Sequence, residues 1–293
     1  MKIKELWNKI RKGVKAGMAA ATESNVLTDN RVVSMIEKFK ASGKYKLMQE
    51  GERYYQADND IKNRKITRKV DGHKEEETWR ANNKLAHAKY KIQVDEKIAY
   101  LLTKPVTYKT DGTDKNDTYV EKVKDVLGKH FQYQLTQLGY EASNKGIGWL
   151  HVYLDPEGEL KTIVIPAEQC IPYWSDRSHT ELDAMIRVYN TTVWQYNQEK
   201  EITNVEIWTK DGVKYYRLEG QMLVYDNDKS MDAGGPVAHY KSVEEWKTWG
   251  KVPFIPFKNN QIEMPDVKFV KSLIDGYDLG RSEAANYMDE VKN

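Results

Sequence analysis

The stretch from Lys251 to Asn293 constrains the fold of this chain more than any other. An apolar strand leads through a turn at Asn259 and Asn260 to Pro265 and Asp266. Proline fits the first turn of a helix, and a carboxylate is stabilised at the positive end of the helix dipole. The pattern therefore predicts an amphipathic helix from Asp266 to the chain end, about seven turns long.

The two sides of this predicted helix differ in polarity when residues are placed at about 100° intervals. We expect the apolar side to pack against the protein or a neighbouring helix, and it carries Val270, Ile274, Tyr277, Ala284 and Met288. We expect the polar side to be exposed, and it carries Lys268, Lys271, Asp275, Asp278, Ser282, Asn286 and Asp289. Gly276 and Gly280 each cost about 1 kcal/mol relative to alanine, which indicates either a tolerated kink or close approach of another helix.

Composition and charge exclude several classes of protein. Among 293 residues, 31% are charged and the formal net charge is only +2, so no global signature of polyanion binding exists. Residues 1–24 are basic and could contact a membrane surface, nucleic acid or a partner. No apolar run approaches the roughly 18 residues of a membrane span. Cys170 is the only cysteine, which excludes an intrachain disulfide, and we expect it to be buried.

The hydrophobic period changes along the chain and predicts an α+β fold. We divide the sequence into a basic arm at 1–24, a mainly helical part at 25–145, a β-rich part at 146–258 and the start of a long helix at 259–293. A helix is predicted from about Trp79 to Thr103. Residues Ile61 to Glu77 are predicted to form a mobile loop or a hairpin with its turn at Asp71-Gly72, and Asp211-Gly212 predicts a second hairpin turn.

Motifs that carry chemistry are missing or incomplete. Gly146-Ile147-Gly148 lacks the third glycine of a dinucleotide site. The alternating oxygens of Asp226, Asp228, Ser230 and Asp232 lack the glycine and final glutamate of a calcium loop. The sequence thus predicts no enzyme, no cofactor and no metal site. A sheet rich in tyrosine and tryptophan leaves open a binding module for glycans or single-stranded nucleic acid.

Four segments carry a resemblance to a known family: GERYYQADNDIKNRK at 51–65, NNKLAHAKYKIQVDEKIAYLLTKPVTY at 82–108, ASNKGIGWLHVYLDPEGELKTIVIPAEQCIPYWSD at 142–176, and VPFIPFKNN at 252–260 leading into DVKFVKSLIDGYDLGRSE at 266–283. In content, order and spacing they resemble portal (head-to-tail connector) proteins of tailed bacteriophages with Gram-positive hosts. One departure is Thr103, where the family usually has glycine before Lys-Pro.

The resemblance implies an α+β portal wing ending in the first stem helix, without the clip, second stem helix and crown. It implies a structural subunit of a dodecameric ring at the portal vertex of the virion, assembled in the host cytoplasm. Double-stranded DNA would pass non-specifically through the channel, with the polar residues of the terminal helix facing it. Implied partners are terminase, scaffolding, major capsid and head-completion proteins, with no membrane and no catalytic site.

Overall fold

The computed structural model describes residues 27–109, 117–195, 198–229, 235–242 and 245–292. The predicted basic arm at 1–24 lies outside these ranges. Helices and antiparallel strands both occur, as expected for an α+β fold. The helices of the described ranges are α1 Asp29–Ala41, α2 Gly43–Tyr55, α3 Lys89–Leu102, α4 Asp117–Leu127, α5 Phe131–Lys145 and α6 Val267–Lys292.

The strands follow a simple antiparallel plan. They are β1 Thr67–Val70, β2 His73–Glu76, β3 Ile147–Leu154, β4 Leu160–Ile165, β5 Cys170–Trp174, β6 Leu182–Gln195, β7 Gln198–Thr209, β8 Gly212–Glu219, β9 Met222–Tyr225, β10 Tyr240–Ser242, β11 Glu245–Lys247 and β12 Phe254–Lys258. Strands β5 to β9 form a five-stranded sheet in sequence order, and β12, β3 and β4 form a three-stranded sheet in that order. The other two pairs are the hairpins β1–β2 and β10–β11.

Both predicted hairpin turns are confirmed. Thr209 pairs with Gly212 at the β7–β8 turn. Asp71 and Gly72 both have positive φ at the β1–β2 turn, the conformation that a tight two-residue hairpin requires.

Helix α1 lies on the five-stranded sheet because its apolar stripe matches the inner face of the strands. Val32 and Ile36 are buried with Ile186, Val205 and Tyr216 of the sheet. This burial fixes one layer of helix over one layer of strands.

Ser42 separates α1 from α2. Its backbone is extended, and its hydroxyl accepts a hydrogen bond from Tyr45 N and so caps α2. The second helix therefore starts immediately after the first.

The helix predicted from Trp79 to Thr103 is wrong in its first half, because α3 begins only at Lys89. Residues 81–87 form no helix or strand and run alongside α6. The backbone N–H groups of Asn83, Leu85 and His87 donate to side chains of α6 instead of to carbonyls of their own turn. Tertiary hydrogen bonds have overridden the local helical preference.

Helix α5 ends at Gly146, whose φ of 88° is the left-handed conformation typical of a helix C-terminus. A β-carbon there would clash with the carbonyl oxygen of Glu263. Glycine thus lets the loop before α6 pass directly over the α5–β3 junction. This close crossing sets where α6 leaves the body of the protein.

Candidate functional site on the terminal helix

The loop before α6 is fixed by a buried carboxylate. Glu263 lies 2.7 Å from Lys44 Nζ, 2.8 Å from His179 Nδ1 and 3.2 Å from Lys258 Nζ. Burial alone would raise the pKa of Glu263, but its bonds to Lys44 and His179 outweigh that effect and lower the pKa to about 2. The carboxylate stays charged and joins four separate parts of the chain.

The first turns of α6 pack on α2 and α3 through an apolar cluster. Val267 and Ile274 are buried against Tyr54, Tyr90 and Val94. Asp266, just before the helix, accepts from Lys97 Nζ at 2.6 Å and from Asn259 at 2.8 Å, and also from Ser143. Apolar burial and a satisfied carboxylate together anchor this end of the helix.

Lys271 links this end to the turn after α2. Its ammonium lies 2.5 Å from Asp60 and 2.8 Å from Asp275, and Asp275 also accepts from the Tyr54 hydroxyl at 2.5 Å. Burial lowers the pKa of Lys271, but the hydrogen bonds to Asp275 and Asp60 outweigh it, so this pKa is raised above its ordinary value. The lysine is charged and engaged within the subunit.

Further along α6, an extended segment is bound by helix side chains spaced one turn apart. We call residues 83–87 the strap and residues Asp278, Ser282 and Asn286 the polar ladder. Asn83 N donates to Asn286 Oδ1 at 2.6 Å, Leu85 N to Ser282 Oγ at 3.0 Å, and His87 N to Asp278 Oδ1 at 3.1 Å.

The spacing explains why the strap and the polar ladder match. Four helical residues rise about 6.0 Å, and two extended residues advance about 6.6 Å. Alternate N–H groups of the strap therefore meet every fourth side chain of α6. The two segments run antiparallel, since residue numbers fall along α6 as they rise along the strap.

Asp278 is the most heavily bonded member of the ladder, and it is 0% exposed. Besides the backbone of His87, its carboxylate binds His87 Nδ1 at 2.9 Å and Asn59 Nδ2 at 2.5 Å. A carboxylate only accepts hydrogen bonds, so Nδ1 of His87 carries the proton here. The buried charge is thus supplied with donors on both oxygens.

Ion pairs continue the attachment at the surface. Arg64 pairs with Glu283, and Arg80 lies 3.4 Å from Glu290. Both arginines belong to the stretch that contains the β1–β2 hairpin. The C-terminal half of α6 is therefore held through polar contacts to residues 59–87.

The opposite side of α6 is apolar and open. Phe269, Leu273, Tyr287 and Val291 are exposed, with Leu273 at 73% and Tyr287 at 70%. A β-carbon added at Gly276 or Gly280 would meet no atom within 4 Å. Close approach of another helix, one of the two explanations for these glycines, does not occur within the described part of this subunit.

The sequence assigned the polar side of α6 to solvent, and three of its positions contradict that expectation. Asp278, Ser282 and Asn286 are buried at 0%, 0% and 4% exposure, because the strap takes their hydrogen-bonding capacity. Lys271 and Asp275 are half-buried in their ion-pair cluster. The remaining two of these polar positions, Lys268 and Asp289, are exposed, although Asp289 also accepts from Asn83 at 2.8 Å.

The predicted packing side is divided. Ile274 is buried and Val270 is half-buried. Tyr277, Ala284 and Met288 are exposed. The Tyr277 ring packs edge-to-face against the His87 ring and lies under Lys89 Nζ. The polar side of the C-terminal half, rather than its apolar side, faces the body of the protein.

The other sequence candidates lie in structural roles. Cys170 is buried, as predicted, and burial raises the pKa of its thiol. Asp226 and Asp228 pair with Arg217 at 2.8 and 2.9 Å, while Ser230 and Asp232 fall outside the described residues. Within the described ranges, no group of three or more metal-binding side chains could hold an ion.

Several aromatic residues of the sheets are used for packing, whereas Trp194 and Trp246 are 68% and 48% exposed. Trp149 and Tyr216 are 0% and 1% exposed, and Trp208 lies among His151, His239 and Phe254. These rings have no free faces on which sugars or bases could stack. The sequence alternative of an aromatic binding face gains no support at these positions.

The strap is not predicted by the sequence. The helix predicted from about Trp79 to Thr103 includes Asn83 and His87. One signal was available, because Asp278, Ser282 and Asn286 recur at every fourth residue with short hydrogen-bonding side chains. A row of such side chains can form hydrogen bonds with an extended backbone as well as with water.

These contacts define a long helix mounted on an α+β body, with polar contacts that fix its direction. Among the described residues, no helix combines the length and hydropathy that crossing a bilayer requires. A family model described as phage portal protein, SPP1 Gp6-like, matches residues 40–293. The chain belongs to this family of structural phage proteins.

Two relatives show the extent of the similarity. The chain is 33% identical over 247 residues to the portal protein of Bacillus phage SPP1, which covers 84% of this chain and 47% of that protein. It is 31% identical over 249 residues to the portal protein of Clostridium phage phiCD119, covering 82% of this chain and 51% of the relative. The chain thus spans about half the length of these relatives.

Proposed function

We propose that this chain forms the wing and first stem helix of a phage portal subunit. The observation that carries the proposal is the family match over residues 40–293, a range that includes α6. In this proposal the α+β body is the wing and α6 is the start of the stem. At 26 residues, α6 is about 39 Å long, enough to bridge two parts of a large assembly.

The proposed subunit assembles into a dodecameric ring around a channel for double-stranded DNA. Terminase, scaffolding, major capsid and head-completion proteins are its proposed partners, and the virion portal vertex its proposed location, after assembly in the host cytoplasm. Heterologous contacts between copies close such a ring. The exposed apolar side of α6 supports association, because patches of this kind on monomers usually mark interaction sites.

Fewer residues of α6 are free to line the proposed channel than its sequence predicts. Asp278, Ser282 and Asn286 are unavailable while the strap is bound. Lys268 and Asp289 are exposed and remain the candidates on this helix. Contact with DNA at these positions would be electrostatic and independent of sequence.

Electron microscopy of the complete gene product tests the proposal. We expect rings with a central hole, and DNA binding that is weak, sequence-independent and lost as salt is raised. A monodisperse monomer without rings at high micromolar concentration would contradict the proposal. Sequence-specific DNA affinity that survives moderate salt would contradict the proposed channel role.

A further inference from the structure

The anchoring of α6 changes in kind within two turns. Up to Ile274, the buried contacts of the helix are apolar, against α2 and α3, and ion pairs of Asp266 and Lys271 add to them at the surface. From Asp278 onward, the buried contacts are hydrogen bonds from the strap and from Asn59 to the polar ladder. The change falls at Gly276 and Gly280, on the open side of the helix.

The two glycines have no packing explanation inside the described part of the subunit. Both are exposed, and a β-carbon at either would meet nothing within 4 Å. Glycine weakens a helix because its backbone is freer than that of any other residue. A pair of them at the point where the anchoring changes makes this the weakest part of α6 against bending.

The polar contacts of the C-terminal half can be exchanged for water, whereas the apolar contacts of the N-terminal half cannot. A backbone N–H released from Ser282 or Asn286 regains a partner in solvent, and so does the side chain. Ile274, in contrast, would expose buried apolar surface if it left its cluster. The C-terminal half is therefore the half that can detach without disturbing the core.

From these observations we infer that α6 is a hinged helix with a latch. The hinge is Gly276 to Gly280, and the latch is the contact of the strap with Ser282 and Asn286, which lie beyond the hinge. When the latch opens, the C-terminal half swings while the half that ends at Ile274 stays in place. The inference does not depend on ring assembly, so it can fail while the proposed portal function stands.

Distance measurements between paired spin labels on the 293-residue chain test the hinge. One pair, Glu157→Cys with Met288→Cys, reports on the C-terminal half, and a second, Glu157→Cys with Leu273→Cys, reports on the N-terminal half. All three sites are exposed, and the buried Cys170 should stay unlabelled. The latch variant combines Ser282→Ala with Asn286→Leu, and Ser272→Ala on the exposed side is its matched control.

We expect the latch variant to add a second population, several ångströms away, to the 157–288 distances only. Adding Gly276→Ala and Gly280→Ala should restore a single narrow distribution, because a stiff helix follows its anchored half. Amide exchange at Leu85 should become tenfold faster or more in the latch variant and stay unchanged in the control.

Three results would overturn the inference. The 157–288 distances could remain unchanged in the latch variant, both label pairs could broaden together, or the second population could survive the two alanines. The first would mean that the strap does not hold the helix. The second would mean that α6 detaches as a unit, and the third would place the bend elsewhere.

Discussion

The two halves of α6 are attached to the same body by different kinds of interaction. The first half buries Val267 and Ile274 and gains roughly 1.5 to 3 kcal/mol for each side chain. The second half makes hydrogen bonds that contribute about 0.5 to 1.5 kcal/mol each after competition with water. Apolar burial contributes more free energy for each side chain but does not depend on orientation. The hydrogen bonds of the polar ladder contribute less but fix the orientation of the helix.

The different attachment of the two halves explains why the second half of α6 buries its polar side and exposes its apolar side. A surface helix normally turns its apolar stripe inward. In the second half of α6, Ser282 and Asn286 point inward and Tyr287 points outward. A polar face can be buried when a backbone supplies its donors, and that arrangement leaves the apolar face for another surface.

The largest effect should come from breaking the apolar half. Ile274→Asp places an unpaired charge in the cluster with Val94 and Ile98, and we expect a loss of about 4 kcal/mol or more in the free energy of unfolding. Urea titration followed by tryptophan fluorescence measures it. The matched control is Leu273→Asp on the exposed side, which should change stability by less than about 0.5 kcal/mol. Equal losses in the two variants would mean that the first half is not anchored by burial.

Acid should weaken the loop that positions the first half. The folded pKa of Glu263 is lowered to about 2 from an ordinary value near 4.5, so its contribution is present above about pH 4.5 and lost as pH falls toward 2. Integrated over that window, the loss is roughly 3 kcal/mol at most. Stability curves for the protein and for Glu263→Gln should converge as pH falls across this range. Parallel curves would show that the carboxylate is not stabilised by Lys44 and His179.

Removing the charge of the ladder should have an intermediate effect. Asp278→Asn keeps the shape but turns an amide N–H toward donors from Asn59 and His87, and we expect a loss of about 2 kcal/mol. Urea titration gives the size, and exchange of the His87 amide reports the location. The loss should be local: exchange near Tyr90 should stay slow. Faster exchange throughout α3 would show that the two halves are not separately anchored.

Much of the fold could be predicted from the sequence because its signals are local. The β7–β8 turn follows from Asp211-Gly212, and the helix over residues 29–41 follows from the spacing of Val32 and Ile36. Buried Cys170 follows from its apolar surroundings. In each case the residues that carry the signal lie within a few positions of the structure that they specify.

The strap could not be predicted because its partners lie about 200 residues away. Leu85 and Ser282 are 197 positions apart, and nothing near Leu85 shows that its N–H will be taken by a distant hydroxyl. Residues 79–88 have an apolar spacing that suits a helix, so the predicted helix begins about ten residues before α3 does. The same distant contact made the polar side of α6 look exposed. The pairing of the strap with the polar ladder thus explains both the overextended helix and the incorrect expectation that the polar side of α6 is exposed.

The smallest predicted effect gives the sharpest comparison of the two sides of one helix. Ser282→Ala removes the acceptor for Leu85 N inside the ladder, and Ser272→Ala removes the same hydroxyl ten positions earlier on the exposed side. The helix propensity gained is equal in both variants, so it cancels in the difference. We expect Ser282→Ala to be less stable than Ser272→Ala by about 1 kcal/mol, the usual net value of one hydrogen bond. Denaturant titration of the two variants side by side measures that difference, and equal stabilities would mean that water replaces the hydroxyl at no cost and that the strap does not depend on Ser282.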